Sequence, residues 1–309
     1  MTTPSGVEGS GRWQVLLALL LGLAAVSHAA VLIRLAEAHP VVIAAFRLAT
    51  ASLVVVPLAM LRCRQEWSTL SRQGFCLALG AGALLALHFA SWIASLAYTS
   101  IANSVVLVSL TPVWIALATV VFLGRRVALL TLGSVALSVL GSAIIGIYSA
   151  EDDARGLLGD GLALAGGIFM AGYLMLGQQV RRELSLLAYI ALCYGTAAVL
   201  LGLAVVMLNL PVMGLGAGTY LAMLALGLVS QVIGHSVYNW VLKRFSPNFV
   251  SVCLLGEPVL SGLLGLLYFR EAIANPTLIG GGIVLLGIYL GIQAEVAPTK
   301  KPPEFSQGV

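Results

Sequence analysis

Long, uninterrupted apolar runs constrain this chain more than any other feature. Val15–Val26 and Ile283–Ile292 are examples, and neither contains a charged side chain. Charged residues make up 9% of the 309 residues, against roughly 25% in a soluble globular protein. The runs are continuous rather than alternating, and a helix satisfies its own backbone hydrogen bonds. We therefore predict an all-α polytopic membrane protein and not a β-barrel.

The apolar runs divide into ten predicted membrane-spanning helices. Each has about 20 residues or slightly more, which is enough to cross about 30 Å of hydrocarbon. The first run begins at Trp13 and has no clean small-residue cleavage site, so it is interpreted as a span and not a signal peptide. The predicted spans are residues 13–33, 40–61, 74–98, 102–122, 128–148, 158–180, 185–209, 217–241, 248–268 and 276–294.

Basic residues predict the orientation of these spans. With a cytoplasmic N-terminus, twelve of the sixteen basic residues fall inside and three, Arg34, Arg155 and Arg270, fall outside. This asymmetry favours cytoplasmic N- and C-termini in a bacterial inner membrane. It also explains the slight basic excess without a nucleic-acid partner. The twelve are Arg12, Arg62, Arg64, Arg72, Arg125, Arg126, Arg181, Arg182, Lys243, Arg244, Lys300 and Lys301.

The chain repeats at a fixed offset. Shifting Thr99–Ile147 by 146 residues aligns it without gaps on Phe245–Gln293, with ten identities in 49 pairs, Pro112/Pro258 among them. Span four then pairs with span nine, and span five with span ten. A unit of five spans is odd, so its second copy must be inverted, an architecture typical of transporters. We predict two inverted five-helix repeats, residues 1–150 and 151–309, around a central cavity.

Polar and aromatic side chains recur on single faces of several predicted spans. Side chains at i, i+3, i+4 and i+7 share a helical face, and polar groups inside a membrane usually face a cavity or a partner. They are predicted to line the cavity and contact a substrate, although a serine can instead bond its own backbone. For His235 a structural hydrogen bond is an equal alternative. The candidates are His88, Ser91, Trp92, Ser95, Tyr173, Gln231, His235, Tyr238 and Asn239.

Two clear charges, Arg47 and Glu257, lie inside predicted spans, and His28 lies at a depth similar to that of Arg47. Arg47 could bind a substrate carboxylate or tie helix ends together by donating to carbonyls. Glu257 could donate to a carbonyl freed by Pro258 when protonated, or carry coupled protons. Pro112 and Pro258 fall near the middle of spans four and nine and are predicted to act as hinges. A static packing role is an equal alternative, because neighbouring groups can satisfy the freed carbonyls.

Short motifs in the two repeats resemble the EamA family of the drug/metabolite transporter superfamily, and most closely its YddG-type amino-acid exporters. The resemblance covers nearly the whole chain. It implies a secondary transporter that exports amino acids, aromatic ones among them, or similar small metabolites by alternating access through a central cavity. The motifs are Pro40, Phe46-Arg47, Leu110-Thr111-Pro112, Gly256-Glu257-Pro258 and Tyr268-Phe269-Arg270-Glu271.

Other function classes find less support in the sequence. A nucleotide-sugar or drug carrier of the same superfamily and a non-transporting scaffold or receptor remain alternatives. An enzyme is not expected, since there is no His-Glu-x-x-His and Gly156–Asp160 only faintly suggests an aspartyl protease. No cofactor or metal is expected, because the cysteines lack metal-ligand spacing. The partners expected are a small-molecule substrate and the lipid bilayer. The four cysteines are Cys63, Cys76, Cys193 and Cys253.

Overall fold

The computed structural model describes residues 9–124, 129–152 and 154–296, and every regular element in those ranges is helical. The elements are α1 (Gly9–Ser27), α2 (Ala29–Leu35), α3 (Pro40–Arg62), α4 (Arg64–Thr69), α5 (Arg72–Ser95), α6 (Ile101–Val108), α7 (Thr111–Leu123), α8 (Leu129–Asp152), α9 (Ala154–Glu183), α10 (Leu186–Met207), α11 (Ala217–Ala225), a π-helical segment (Leu226–His235), α12 (Ser236–Val241), α13 (Pro247–Cys253), α14 (Gly256–Phe269) and α15 (Asn275–Val296).

Eight stretches of the described chain are long and apolar enough to cross a membrane. They coincide with predicted spans one to four and six to nine. The remaining two predicted spans lie on α8 and α15, whose described apolar parts, Gly133–Ile145 and Asn275–Gly287, are shorter. The eight are Leu17–Leu35, Pro40–Arg62, Arg72–Ser95, Ile101–Phe122, Arg155–Glu183, Leu186–Met207, Ala217–Val241 and Phe249–Phe269.

Spans four and nine are each interrupted in the middle. The α6–α7 break lies immediately before Pro112, and the α13–α14 break lies shortly before Pro258. A proline has no backbone N–H, so the carbonyl one turn earlier loses its partner. The hydroxyl of Thr111 donates to the carbonyl of Val108 at 2.9 Å, which satisfies the group that Pro112 leaves unpaired. The breaks therefore follow from the two prolines and are locally stabilised.

Two other spans depart from a regular α-helix at places where no proline predicts a break. Span one turns at His28, between α1 and α2, and span eight contains the ten-residue π-helical segment. No proline lies at either place, so tertiary contacts determine these irregularities. The hydroxyl of Ser230, inside the π-helical segment, donates to the carbonyl of Ala25 in α1 at 2.9 Å. Such π-helical turns are frequently found at functional sites.

The helices pack in a regular set of pairs. α5 packs along α9, and α1 packs along the π-helical segment and α14. α3 packs against α10, and α8 against α15. The halves of the interrupted spans cross, so that α6 contacts α14 and α7 contacts α13. This arrangement brings the two helix breaks close to the middle of the bundle.

Small residues let α8 and α15 approach backbone to backbone. A Cβ built on Gly141 would lie 2.5 Å from the carbonyl oxygen of Gly280, and one built on Gly280 would lie 2.6 Å from that of Gly141. A Cβ on Gly287 would meet the Ser138 hydroxyl at 2.6 Å. Apolar burial gives little drive to associate in lipid, so such close packing is a main source of helix–helix affinity.

We predict that Gly141→Val lowers the melting temperature of the purified protein. Its new side chain meets backbone atoms of α15 that cannot give way, and overpacking typically costs about 1–3 kcal/mol. Gly133→Val is the matched control on the same helix, because a Cβ at Gly133 has nothing within 4 Å. Thermal unfolding in detergent measures both variants. Equal melting temperatures would show that α8 and α15 do not depend on this contact.

Candidate functional site: a central cavity at the helix breaks

A small cavity lies in the centre of the bundle, beside the breaks in spans four and nine. Its volume is about 40 Å³. Both halves of the chain contribute to its wall. The lining residues are Val26, Ala29, Arg47, His88, Trp92, Val108, Ser109, Thr111, Met170, His235, Ser251, Leu254 and Glu257.

Arg47 is the most constrained of these side chains. It is completely buried, and its Nε donates to Oε1 of Gln231 at 2.8 Å. The guanidinium carbon lies 3.8 Å from the centroid of the Phe89 ring. Nη1 and Nη2 have no hydrogen-bond partner among the described residues. A guanidinium is effectively always charged and presents a planar fork of donors, so the protein holds an unsatisfied cation against the cavity.

Glu257 supplies the opposite charge on the same cavity. It is the second residue of α14 and is partly buried. No nitrogen–oxygen distance of 4.0 Å or less joins Arg47 to Glu257, both of which the structure describes. The cavity therefore presents a cation from the first half of the chain and a carboxylate from the second half, with a gap between them.

His88, Trp92 and His235 form an aromatic wall. The rings of His88 and Trp92 are nearly parallel, with an interplanar angle of 9° and centroids 6.0 Å apart. His88 Nδ1 donates to the carbonyl of Gly166 at 2.9 Å, which fixes the orientation of the ring. His235 lies 6.4 Å from His88. Within the described chain, Nδ1 of His235 and Nε1 of Trp92 are buried without a partner.

Several predicted substrate contacts belong instead to a buried network beside the cavity. The hydroxyl of Tyr173 donates to Oδ1 of Asn239 at 2.7 Å, and Nδ2 of Asn239 donates to the hydroxyl of Tyr194 at 3.1 Å. Gln231 contributes to the site indirectly, through the hydrogen bond that it accepts from Arg47. Tyr238 is buried, and its hydroxyl has no partner among the described residues. These side chains connect α9, α10 and α12 behind the wall.

The two serines of α5 face their own backbone. Ser91 donates to the carbonyl of Leu87 at 2.7 Å, and Ser95 donates to that of Trp92 at 2.6 Å. The Ser95 hydroxyl also lies 2.6 Å from the hydroxyl of Ser104 in α6. His28 is exposed at the turn between α1 and α2, where its Nδ1 lies 2.8 Å from the carbonyl of Ala24. None of the three lines the central cavity, and their proposed contact with substrate or coupling ion stays a prediction.

Phe89 is a site residue that the sequence did not reveal. It is fully buried, carries the Arg47 guanidinium on one side and contacts the His235 ring at 5.1 Å. The sequence does not distinguish this phenylalanine from the other apolar residues that pack in a helix. Its position next to His88 in α5 was the available signal. Ser109 and Thr111, at the α6–α7 break, were missed as lining residues, because a lone hydroxyl in a membrane helix usually bonds to its own backbone.

A larger cavity of about 700 Å³ lies at the end of the bundle that the charge pattern predicts to face outward. Glu271 ties its wall together, since Oε2 accepts from Arg34 at 3.2 Å and Oε1 accepts from the backbone N–H of Ile101 at 2.7 Å. Arg34 also donates to the carbonyl of Thr99 at 2.8 Å. The Thr99 hydroxyl donates to Asp160 at 2.8 Å. These bonds fasten α2, α6 and α9 to the α14–α15 loop.

At the opposite end of the bundle, hydrogen bonds join α4 to the start of α10. Oε2 of Glu66 accepts from the backbone N–H of Ser185 at 2.7 Å, and Nε1 of Trp67 donates to the carbonyl of Ala188 at 3.2 Å. Burial raises the pKa of Glu66, but the hydrogen bonds from Ser185 outweigh it and leave the pKa below its usual value. Arg181 is buried here and donates to the carbonyls of Leu184 and Asn239.

Comparisons with known proteins agree on the class of molecule. Two proteins of Archaeoglobus fulgidus, each described as an uncharacterized transporter, are similar to this chain. One is 25% identical over 258 residues, covering 82% of this chain and 89% of the relative. The other is 26% identical over 214 residues, covering 69% and 74%. A solved crystal structure of a further protein shares the fold, with a TM-score of 0.65 at 18% identity over 93% of this chain and 99% of that one.

The model of the EamA-like transporter family matches twice, over residues 12–147 and 157–292. Together these stretches cover most of the chain, including both helix breaks and every residue that lines the central cavity. This chain therefore belongs to the EamA-like transporter family and is a membrane transporter.

Proposed function

We propose that this chain is a secondary transporter that exports amino acids, aromatic ones among them, or similar small metabolites across a bacterial inner membrane. The observation that carries the proposal is the unsatisfied fork of Arg47. Burying donors without partners is costly, and an arginine matches a carboxylate with two parallel hydrogen bonds. A ligand carboxylate seated on Nη1 and Nη2 would satisfy both nitrogens at once. Among the described lining residues Arg47 is the single arginine or lysine, which favours a monocarboxylate over a diphosphate.

The aromatic wall supports a side-chain pocket next to this carboxylate position. His88 and Trp92 present one continuous stacked surface, and stacked rings bind apolar and aromatic groups. The cavity, at about 40 Å³, is smaller than the roughly 300–1,000 Å³ of typical small-molecule sites, so it must widen to admit an amino acid. Such widening fits alternating access, in which the cavity opens to one side of the membrane at a time.

The arrangement of the helices supports two inverted five-helix repeats, residues 1–150 and 151–309, with ten spans in total. The two family matches begin 145 residues apart (157 minus 12), close to the 146-residue shift found in the sequence. If the two halves are exchanged, span three (α5) corresponds to span eight, and span six (α9) corresponds to span one. The contact between α5 and α9 then corresponds to the contact between the π-helical segment and α1. The same exchange leaves the pairs α3–α10 and α8–α15 unchanged. An internal two-fold relation of this kind is what alternating access around a fixed central site requires.

Counterflow into proteoliposomes tests the transported substrate. We expect exchange of radiolabelled amino acids and little or no exchange of nucleotide sugars. Trp92→Ala should weaken uptake of large apolar amino acids more than of small ones, because the lost burial is worth about 1–3 kcal/mol. Trp240→Ala is the matched control, since Trp240 does not line the cavity.

Two results would refute this account of the substrate. Exchange of nucleotide sugars alone would identify a carrier of that class, and no exchange of any solute would favour a scaffold or receptor. Identical kinetics for Trp92→Ala and the wild type, at equal expression, would remove Trp92 from the pocket.

Both termini are proposed to be cytoplasmic, on the basis of the basic-residue asymmetry. Asp153 and Lys300 lie outside the described residues, and in a cysteine-free background each can carry a single cysteine. An impermeant maleimide applied to intact cells should label the cysteine at Asp153 and not the one at Lys300. Labelling at Lys300 alone would contradict the ten-span arrangement.

Pro112 and Pro258 are proposed as hinges of alternating access. Pro112→Ala and Pro258→Ala restore a backbone donor at each break, so we expect slower transport with equilibrium binding changed by no more than about a few fold. Pro57→Ala is the matched control, because Pro57 lies inside α3 without interrupting it. Initial rates of counterflow and ligand-binding measurements separate the two effects. Wild-type rates in both hinge variants would place the moving element elsewhere.

A further inference from the structure

We propose that Glu257 is the ammonium-binding group of the central cavity. Together with Arg47 it would restrict the cavity to ligands that carry one positive and one negative charge. The substrate class is then the free α-amino acid, to the exclusion of deaminated, decarboxylated or N-acylated analogues. This inference rests on the proposed function and narrows it.

The first observation is that the cavity holds two opposite charges that do not neutralise each other directly. Arg47 and Glu257 both line it, yet within the described residues no ion pair of 4.0 Å or less joins them. Both Nη nitrogens of Arg47 lack a partner there. The gap between the two groups is therefore polar at both ends, with aromatic rings at the side.

The second observation is that the Arg47 side chain and the Glu257 backbone are held in place independently of each other. Nε of Arg47 is bonded to Gln231, and its guanidinium lies on the Phe89 ring, so it cannot swing freely toward Glu257. The backbone N–H of Glu257 donates to the carbonyl of Leu254 at 2.8 Å, across the α13–α14 break. The helix dipole favours a carboxylate in the first turn of α14, and this could explain why Glu257 is there. It does not explain why the guanidinium of Arg47 lacks a partner on the same cavity.

Charge balance then selects the ligand. The two cavity groups sum to zero, and a zwitterion keeps the total at zero while giving each group a partner of opposite charge. A carboxylate without an amine leaves Glu257 facing a second negative charge, and an amine without a carboxylate leaves Arg47 unsatisfied. An uncompensated charge inside a membrane protein is costly. The other titratable side chains among the described lining residues are His88 and His235.

Competition for counterflow at one fixed pH tests this inference on the reconstituted full-length protein. Four competitors share one side chain: phenylalanine, 3-phenylpropionate, phenethylamine and N-acetylphenylalanine. In the wild type, phenylalanine should inhibit at least about tenfold better than the other three. Each of the three lacks one charge-assisted hydrogen bond to the cavity, and the loss of one such bond weakens binding by about this factor. Glu257→Gln should lower the ratio of phenylalanine to 3-phenylpropionate inhibition by about 10- to 100-fold.

Glu37→Gln is the matched control, because Glu37 is an exposed carboxylate outside the cavity. It should keep the wild-type ratio. A wild type inhibited equally by phenylalanine and its N-acetyl or deaminated analogue would overturn this inference while leaving amino-acid transport intact. So would an unchanged ratio in Glu257→Gln. The wild-type comparison decides the matter even if Glu257→Gln does not fold. Inhibition by none of the four would overturn the proposed function as well.

Discussion

A guanidinium group buried in the middle of a membrane protein must be held and neutralised by its surroundings, and the centre of this transporter is organised around that requirement. Arg47 is fixed by an amide on one side and an aromatic ring on the other. These contacts hold the guanidinium in the wall of the cavity, and its two terminal nitrogens have no hydrogen-bond partner among the described residues. The cation is therefore positioned but not satisfied, which is the arrangement that a binding site for an anion requires.

The central residues could be identified from sequence because charge inside a span is rare. Arg47, Glu257, His88 and Trp92 were all singled out in the sequence, and all four lie in the wall of the cavity. Their contact with a substrate stays a prediction. The supporting contacts could not be identified, since they depend on how helices pack. Phe89 looked like any apolar residue. Predicted candidates such as Ser95 share the helical face with Trp92, yet a hydroxyl can satisfy itself on its own backbone, and helical spacing does not distinguish the two outcomes.

The same limit applies to the shape of the helices. The breaks in spans four and nine could be predicted from their prolines, because each proline lacks the N–H that would bond the carbonyl four residues earlier. No proline predicts the π-helical segment, which is one of the places where the two halves differ, since α5 is a regular helix. Gly227 in this segment lies against α3, where an added Cβ would be 3.0 Å from the carbonyl of Arg47. This close approach lets Gln231 reach Arg47 and fixes the cation.

A structure of the transporter with a bound amino acid would test the central claim most directly. Our account predicts the ligand carboxylate about 2.7–2.9 Å from Nη1 and Nη2 of Arg47, with the contacts to Gln231 and Phe89 retained. A carboxylate bound away from Arg47 would contradict the account. So would a guanidinium that turns to pair with Glu257 while the ligand occupies another site.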